Sequence, residues 1–132
     1  MSIKEMIAEH PHVAGDANEA LGEAVKHAMY CAAIANSCAD ACSAEEDAAA
    51  RADCIRLCAD TSDICTATYR MGSRRTGSNE GVLKALLELC ARACESCAEM
   101  CEMHDDAHCR RCARMCRETA EDCRRAAATI TP

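Results

Sequence analysis

The sequence predicts an all-α protein, an antiparallel up-down-up-down four-helix bundle with a short N-terminal helix or tail. Three observations predict it. The 14 cysteines fall into four groups, Cys31/Cys38/Cys42, Cys54/Cys58/Cys65, Cys90/Cys94/Cys97/Cys101 and Cys109/Cys112/Cys116/Cys123, and every gap inside a group is three, four or seven residues. That is the period of one helix face and not the alternation of a strand. Segments with helix-capping chemistry separate the groups, and short connections between long helices favour antiparallel neighbours. Finally, Phe and Trp are absent and Tyr30 and Tyr69 are the only aromatic residues apart from histidine, so the interior must be filled by something smaller.

Taken in order, Ser2-Ile3-Lys4-Glu5 opens a short leading helix that ends before Pro11. Residues 1–15 form this tail, and 16–132 form the bundle. Asp16-Ala17-Asn18-Glu19 reads as a capping box for the first long helix, and Ser43-Ala44-Glu45-Glu46 as a second box, opening the next. The Gly- and Ser-rich stretch 72–79 is a loop. A third helix is expected from about Glu80 to His104. Asp105 is placed to cap the fourth, which runs toward Ile130. Each long helix has roughly 22–28 residues, about 33–42 Å.

The composition narrows the function. There are six Leu, six Ile and three Val in 132 residues, a thin hydrocarbon supply, whereas free cysteine is small and among the residue types most often buried. The net charge of −7 argues against a nucleic-acid partner, which would call for a basic patch. No run is long and apolar enough to cross a membrane. The Met1–Met6 stretch lacks the apolar region of a secretory signal and Arg74-Arg75 lies mid-chain, so a cytoplasmic, reducing setting is expected. No Gly-rich phosphate loop or nucleophile–base pair is evident, so no enzymatic activity is expected.

The two hairpin turns, near Ser43 and near His104, lie at one end. Counting inward from it puts Cys42, Cys54, Cys101 and Cys109 first and Cys38, Cys58, Cys97 and Cys112 next. Cys94 and Cys116 follow, then Cys31, Cys65 and Cys90, then Cys123. Leu21, Tyr69, Val82, Leu83, Leu86 and Ile130 are expected to close the far end. Disulfides are disfavoured along one helix, because Cβ atoms at i, i+4 stand about 5–6 Å apart and a disulfide needs about 3.5–4.5 Å. Metal is the better reading, and Cu(I) the better metal. Thiolates select soft ions, and 14 thiolates in a low-dielectric core need compensating charge. Four-thiolate zinc sites would each keep two negative charges, whereas one Cu(I) per bridging thiolate leaves the core near neutral. A zinc or thiol redox buffer and an iron–sulfur electron carrier are the alternatives.

The stripes resemble the copper storage proteins, bacterial cysteine-rich four-helix bundles. The resemblance rests on C-x₃-C at Cys38/Cys42, Cys54/Cys58, Cys90/Cys94, Cys97/Cys101 and Cys112/Cys116 and covers the chain from Asp16 onward. It implies storage of multiple Cu(I) ions per chain, a homotetramer, and uptake at the sulfur-lined end.

Other candidate ligands fall at that end. His104 follows Cys101 by three residues and His108 precedes Cys112 by four. Both are expected at the mouth, an assignment that histidines carried there in the family support. His27 precedes Cys31 by four and is expected to point inward, either hydrogen-bonded or as a deep ligand. Met100 and Met115 sit at stripe edges and Met103 outward, with packing their expected role. Asp47 is expected on the inward face at the start of the second long helix. Val25 and Met29 are expected to form an outer apolar pair suited to contact between bundles.

Overall fold

A computed structural model describes residues 2–131; the expected outer limits of tail and bundle, Met1 and Pro132, lie outside the described residues. The elements are α1 (Ile3–Ala8), α2 (Glu19–Ser43), a 3-10 turn (Ala48–Arg51), α3 (Ala52–Ser73), α4 (Glu80–Cys101) and α5 (Ala107–Ala128). The long helices have 25, 22, 22 and 22 residues. Each packs on two others, α2 on α3 and α5, and α4 on α3 and α5, so the four close a ring. The fold is the expected bundle with a short leading helix.

The ring closes tightly because the faces between the cysteines are alanine. Ala24, Ala28, Ala35, Ala91, Ala98 and Ala126 are fully buried. Side chains this small let backbones approach, and they lose no rotamer entropy in a helix. Buried hydroxyls are satisfied by carbonyls: Ser62 Oγ donates to Ala32 O across α3 and α2 at 2.6 Å, and Thr119 Oγ1 to Met115 O at 2.8 Å. No buried side-chain nitrogen or oxygen among the described residues lacks a partner.

Several boundaries differ from expectation. Asn18, not Asp16, caps α2, its side chain accepting from Leu21 N at 3.0 Å. Ser43 opens no helix. It closes α2, its hydroxyl bonding back to Asp40 O, and α3 begins only after the 3-10 turn. α4 stops at Cys101, three residues short of His104, and the N-cap position of α5 is Asp106, not Asp105. The leading helix is as expected, with Ser2 Oγ accepting from Glu5 N at 3.3 Å.

Val25 is the clearest correction. It is fully buried, because Gly72 of α3 leaves room for it: a Cβ there would stand 2.6 Å from Val25 Cγ2. The outer apolar pair with Met29 therefore does not exist. At the far end Val82 is 61 % exposed and Leu87 is buried in its place, beside Leu21, Leu83 and Ile130; Tyr69 and Leu86 are only partly buried. α1 lies against α2, with Lys4 Nζ 2.6 Å from Glu23 and 3.0 Å from Glu19. Asn18 Nδ2 donates to Thr129 Oγ1 at 2.8 Å, and His10 Nε2 is 3.0 Å from Thr76 Oγ1. No helix among the described residues is long and apolar enough to cross a membrane.

Candidate metal centre

All 14 cysteines are free and buried. Their sulfurs form one file along the bundle axis. Cys42 and Cys109 stand 3.7 Å apart, Cys58 is 3.7 Å from Cys101 and 3.6 Å from Cys97, Cys31 is 3.7 Å from Cys116 and 4.0 Å from Cys94, and Cys65 is 3.7 Å from Cys90 and Cys94. Sets whose ligand atoms lie within 4.8 Å of one another include Cys38/Cys58/Cys101/Cys112, Cys97/Cys112/Cys116, Cys31/Cys94/Cys116 and Cys65/Cys90/Cys94. Cys94, Cys112 and Cys116 each belong to two sets, so the groups share ligands.

These spacings suit metal without movement of the backbone. With metal–sulfur bonds near 2.3 Å, three thiolates around an ion stand ~4.0 Å apart and four ~3.8 Å apart. The levels are not the flat layers expected. Cys101 faces Cys58 in the set that holds Cys38 and Cys112, one level deeper than Cys42 and Cys109, and Cys97 lies with Cys112 and Cys116. Gaps of three and four residues do not match one helical turn, so cysteines on neighbouring helices interlock instead of stacking.

The enclosed thiols share protons. Burial pushes Cys54 up to about 11 and raises Cys109. Cys123 is raised by Cys90, and Cys90 is correspondingly lowered by Cys123. A file of this kind releases protons as metal replaces them.

A family model for the copper storage protein matches residues 17–128. The chain belongs to the copper storage protein family. Among solved structures, it is 32% identical to the copper storage protein Ccsp of Streptomyces lividans loaded with 10 copper equivalents, with a TM-score of 0.88 over 96% of this chain and 98% of that one. It is 36% identical to a cytosolic copper storage protein from Streptomyces lividans carrying five coppers, with a TM-score of 0.83 over 86% of this chain and 96% of that one. An uncharacterized cysteine-rich protein of Bacillus subtilis (strain 168), YhjQ, is 34% identical over 104 residues, 79% of this chain and 93% of its own length.

In this copper storage family member, the two turns meet at the sulfur-rich end. His108 lies there, half-buried, with Nδ1 3.4 Å from Cys38 Sγ and 3.6 Å from Cys109 Sγ. Its Nε2 is 3.0 Å from Glu45 Oε1. Burial works against charge on His108, but Cys38 and Glu45 outweigh it and raise its pKa. His104 sits half-exposed in the turn after α4, with no sulfur in hydrogen-bonding reach among the described residues. His27 pairs through Nδ1 with Asp122, so of its two expected states the hydrogen-bonded one is present. Asp47 is largely exposed and pairs with Arg51 Nε at 2.7 Å. Met115 is buried, Met100 packs against the core, and Met103 is 76 % exposed.

Arg51 was not anticipated. It is 6 % exposed. Its NH1 bonds Asp106 at 2.6 Å and lies 3.8 Å from Cys42 Sγ and 3.7 Å from Cys109 Sγ. That contact lowers the Asp106 pKa. The signal was in the spacing, because Arg51, Cys54 and Cys58 fall at i, i+3 and i+7 on one face.

Proposed function

We propose that this chain is a cytosolic, non-enzymatic copper store whose residues 16–132 hold many Cu(I) ions on the 14 cysteine thiolates, with His104 and His108 serving uptake at the mouth and residues 1–15 acting as a short leading segment. The observation that carries the reading is the set of 14 buried free sulfurs, with neighbours at 3.6–4.0 Å and groups within 4.8 Å that share ligands. A catalyst needs one activated thiol with access, whereas a store needs many enclosed ones. Cu(I) carries one positive charge per thiolate, so a shared-sulfur file fills while staying near neutral. The family and the copper-loaded Streptomyces lividans relatives support the same cargo, and the relative described as cytosolic supports the location.

The test is a Cu(I) titration of fully reduced protein against a competing chelator. Saturation is expected near or above one Cu(I) per cysteine. Saturation at three or four ions per chain would sink the reading, because it would mean discrete sites and not a file. The homotetramer rests on the family resemblance. A groove between α1 and α2, lined by Ile3, Met6, Met29 and Tyr30, offers apolar surface for it, with Met6 67 % and Tyr30 53 % exposed. A solution mass that stays monomeric at micromolar concentration would remove that part.

A further inference from the structure

The outermost sulfur pair, Cys42 and Cys109, is covered by a side chain that binds no metal. Arg51 is 6 % exposed, and its NH1 lies 3.8 Å from Cys42 Sγ and 3.7 Å from Cys109 Sγ. Among the described residues no other arginine or lysine hydrogen-bonds to a cysteine sulfur. We propose that Arg51 is the retention latch of the store: it closes over this pair, holds Cu(I) in, and must swing aside before an ion leaves. The proposal rests on the copper reading and adds to it a residue that controls exchange without being a ligand.

The backbone fixes where the latch swings from. Arg51 ends the 3-10 turn and immediately precedes α3, on the face that carries Cys54 and Cys58. Its Nε donates to Asp47 Oδ1 at 2.7 Å within the same turn, and its NH1 to Asp106 Oδ2 at 2.6 Å across the end of the bundle. Asp106 holds the N-cap position of α5 yet makes no capping bond with its side chain, so that carboxylate is left to the guanidinium. Cys42 and Cys109 stand 3.7 Å apart. With NH1 at nearly the same distance from each, the three atoms form a near-equilateral triangle, and the nitrogen blocks the approach to both sulfurs from its side. His108 meets Cys38 and Cys109 instead, so uptake and retention fall to different side chains.

The latch works by occupancy and hydrogen bonding, not by charge. Two carboxylates face the one guanidinium, so the group as a whole does not repel a cation. Its grip depends on the state of the sulfurs. A thiol sulfur is a weak acceptor, whereas a metal-bound thiolate keeps much of its negative charge and takes a charge-assisted bond from a guanidinium. Each Cu(I) that replaces a thiol proton on Cys42 or Cys109 releases that proton to solvent and leaves the sulfur a better acceptor for NH1. Arg51 therefore grips the loaded pair more firmly than the empty one. Exit is resisted more than entry, as a store requires.

Fully reduced, full-length protein would be saturated with Cu(I), and its unloading into an excess of a Cu(I)-chelating dye followed by absorbance. Loading would be followed by stopped-flow mixing with a Cu(I) complex. Arg51→Gln should leave capacity unchanged and speed unloading by about 10–100-fold, the factor that one charge-assisted hydrogen bond is worth. It should speed loading by less. Asp106→Asn keeps the arginine but frees one side of it, and should speed unloading by a smaller factor than Arg51→Gln. Arg56→Gln, which removes an exposed ion pair with Asp60, should change neither rate. Gly72→Ala presses on Val25 at the far end and so tests for general loosening of the bundle; its unloading rate should stay at the wild-type value. Unchanged unloading in Arg51→Gln and Asp106→Asn at full capacity would overturn the proposal, and so would an equal acceleration by Gly72→Ala. If Arg51→Gln loses helix content, Asp106→Asn decides alone. Wild-type protein that saturates at three or four ions removes the store and the latch with it, whereas full capacity with unchanged rates removes the latch alone.

Discussion

At the scale of the residue, the mouth is governed by a few polar side chains set among sulfurs. Arg51 tolerates burial because Asp47, Asp106, Cys42 and Cys109 all accept from it, and a guanidinium can serve several acceptors in one plane. His108 is held between Glu45 and two sulfurs, while His104 lies in the open turn. Few ligands are lost if both histidines go, so they should control the rate of copper loading more than its extent. The His104→Ala, His108→Ala variant is expected to fill to nearly the wild-type level, but more slowly, when loading is followed by stopped-flow mixing with a Cu(I) complex. An unchanged rate would remove their role in uptake. The inner thiolates were legible in the sequence through their spacing. Arg51 and Glu45 were not, because a charged residue near a turn looks solvated until the facing helix is in place.

At the scale of the element, the helices are held by close approach more than by large apolar side chains. α2 and α3 meet where Val25 sits over Gly72. Gly72→Ala would force a methyl within 2.6 Å of Val25 Cγ2. Overpacking of this kind costs about 1–3 kcal/mol, against a gain of at most about 1 kcal/mol from better helix propensity. The variant should therefore melt several degrees lower in thermal unfolding. Adding Val25→Ala should restore part of the loss, since the two side chains share one space. Equal or higher stability for Gly72→Ala alone would mean that the helices slide apart freely. The reading of Val25 as an exposed residue failed here. Helical phase places it off the cysteine stripe, but α3 covers that flank as well, and only the glycine reveals how near it comes.

At the scale of the whole molecule, the ligands are placed before metal arrives. The helices close on alanine, the buried hydroxyls bond to carbonyls, and neighbouring sulfurs from different helices already stand 3.6–4.0 Å apart in several pairs. Filling then needs thiol rotation and proton release, with no new backbone structure. Helix content by circular dichroism should barely change between apo and copper-loaded protein. The melting temperature should rise with loading, because the folded state binds ions that the unfolded chain holds less well. A large gain of helix on loading would show instead that the bundle depends on metal to form.

By itself the sequence determined the all-helical class, the four stripes, the inward direction of every cysteine and hence the soft-metal chemistry. Those follow from spacing along one helix, which is a local property. Only the tertiary structure decided which sulfurs share a level, that Cys101 pairs one step deeper than the count from the turn suggested, that His27 turns to Asp122, and that Arg51 closes over Cys42 and Cys109. Each of these depends on the axial stagger between helices and on where a turn ends, and a turn only one residue longer or shorter changes both. Periodicity fixes the face a residue occupies. The partner across the core is set by how far the neighbouring helix is shifted along the axis, and that shift is decided by packing.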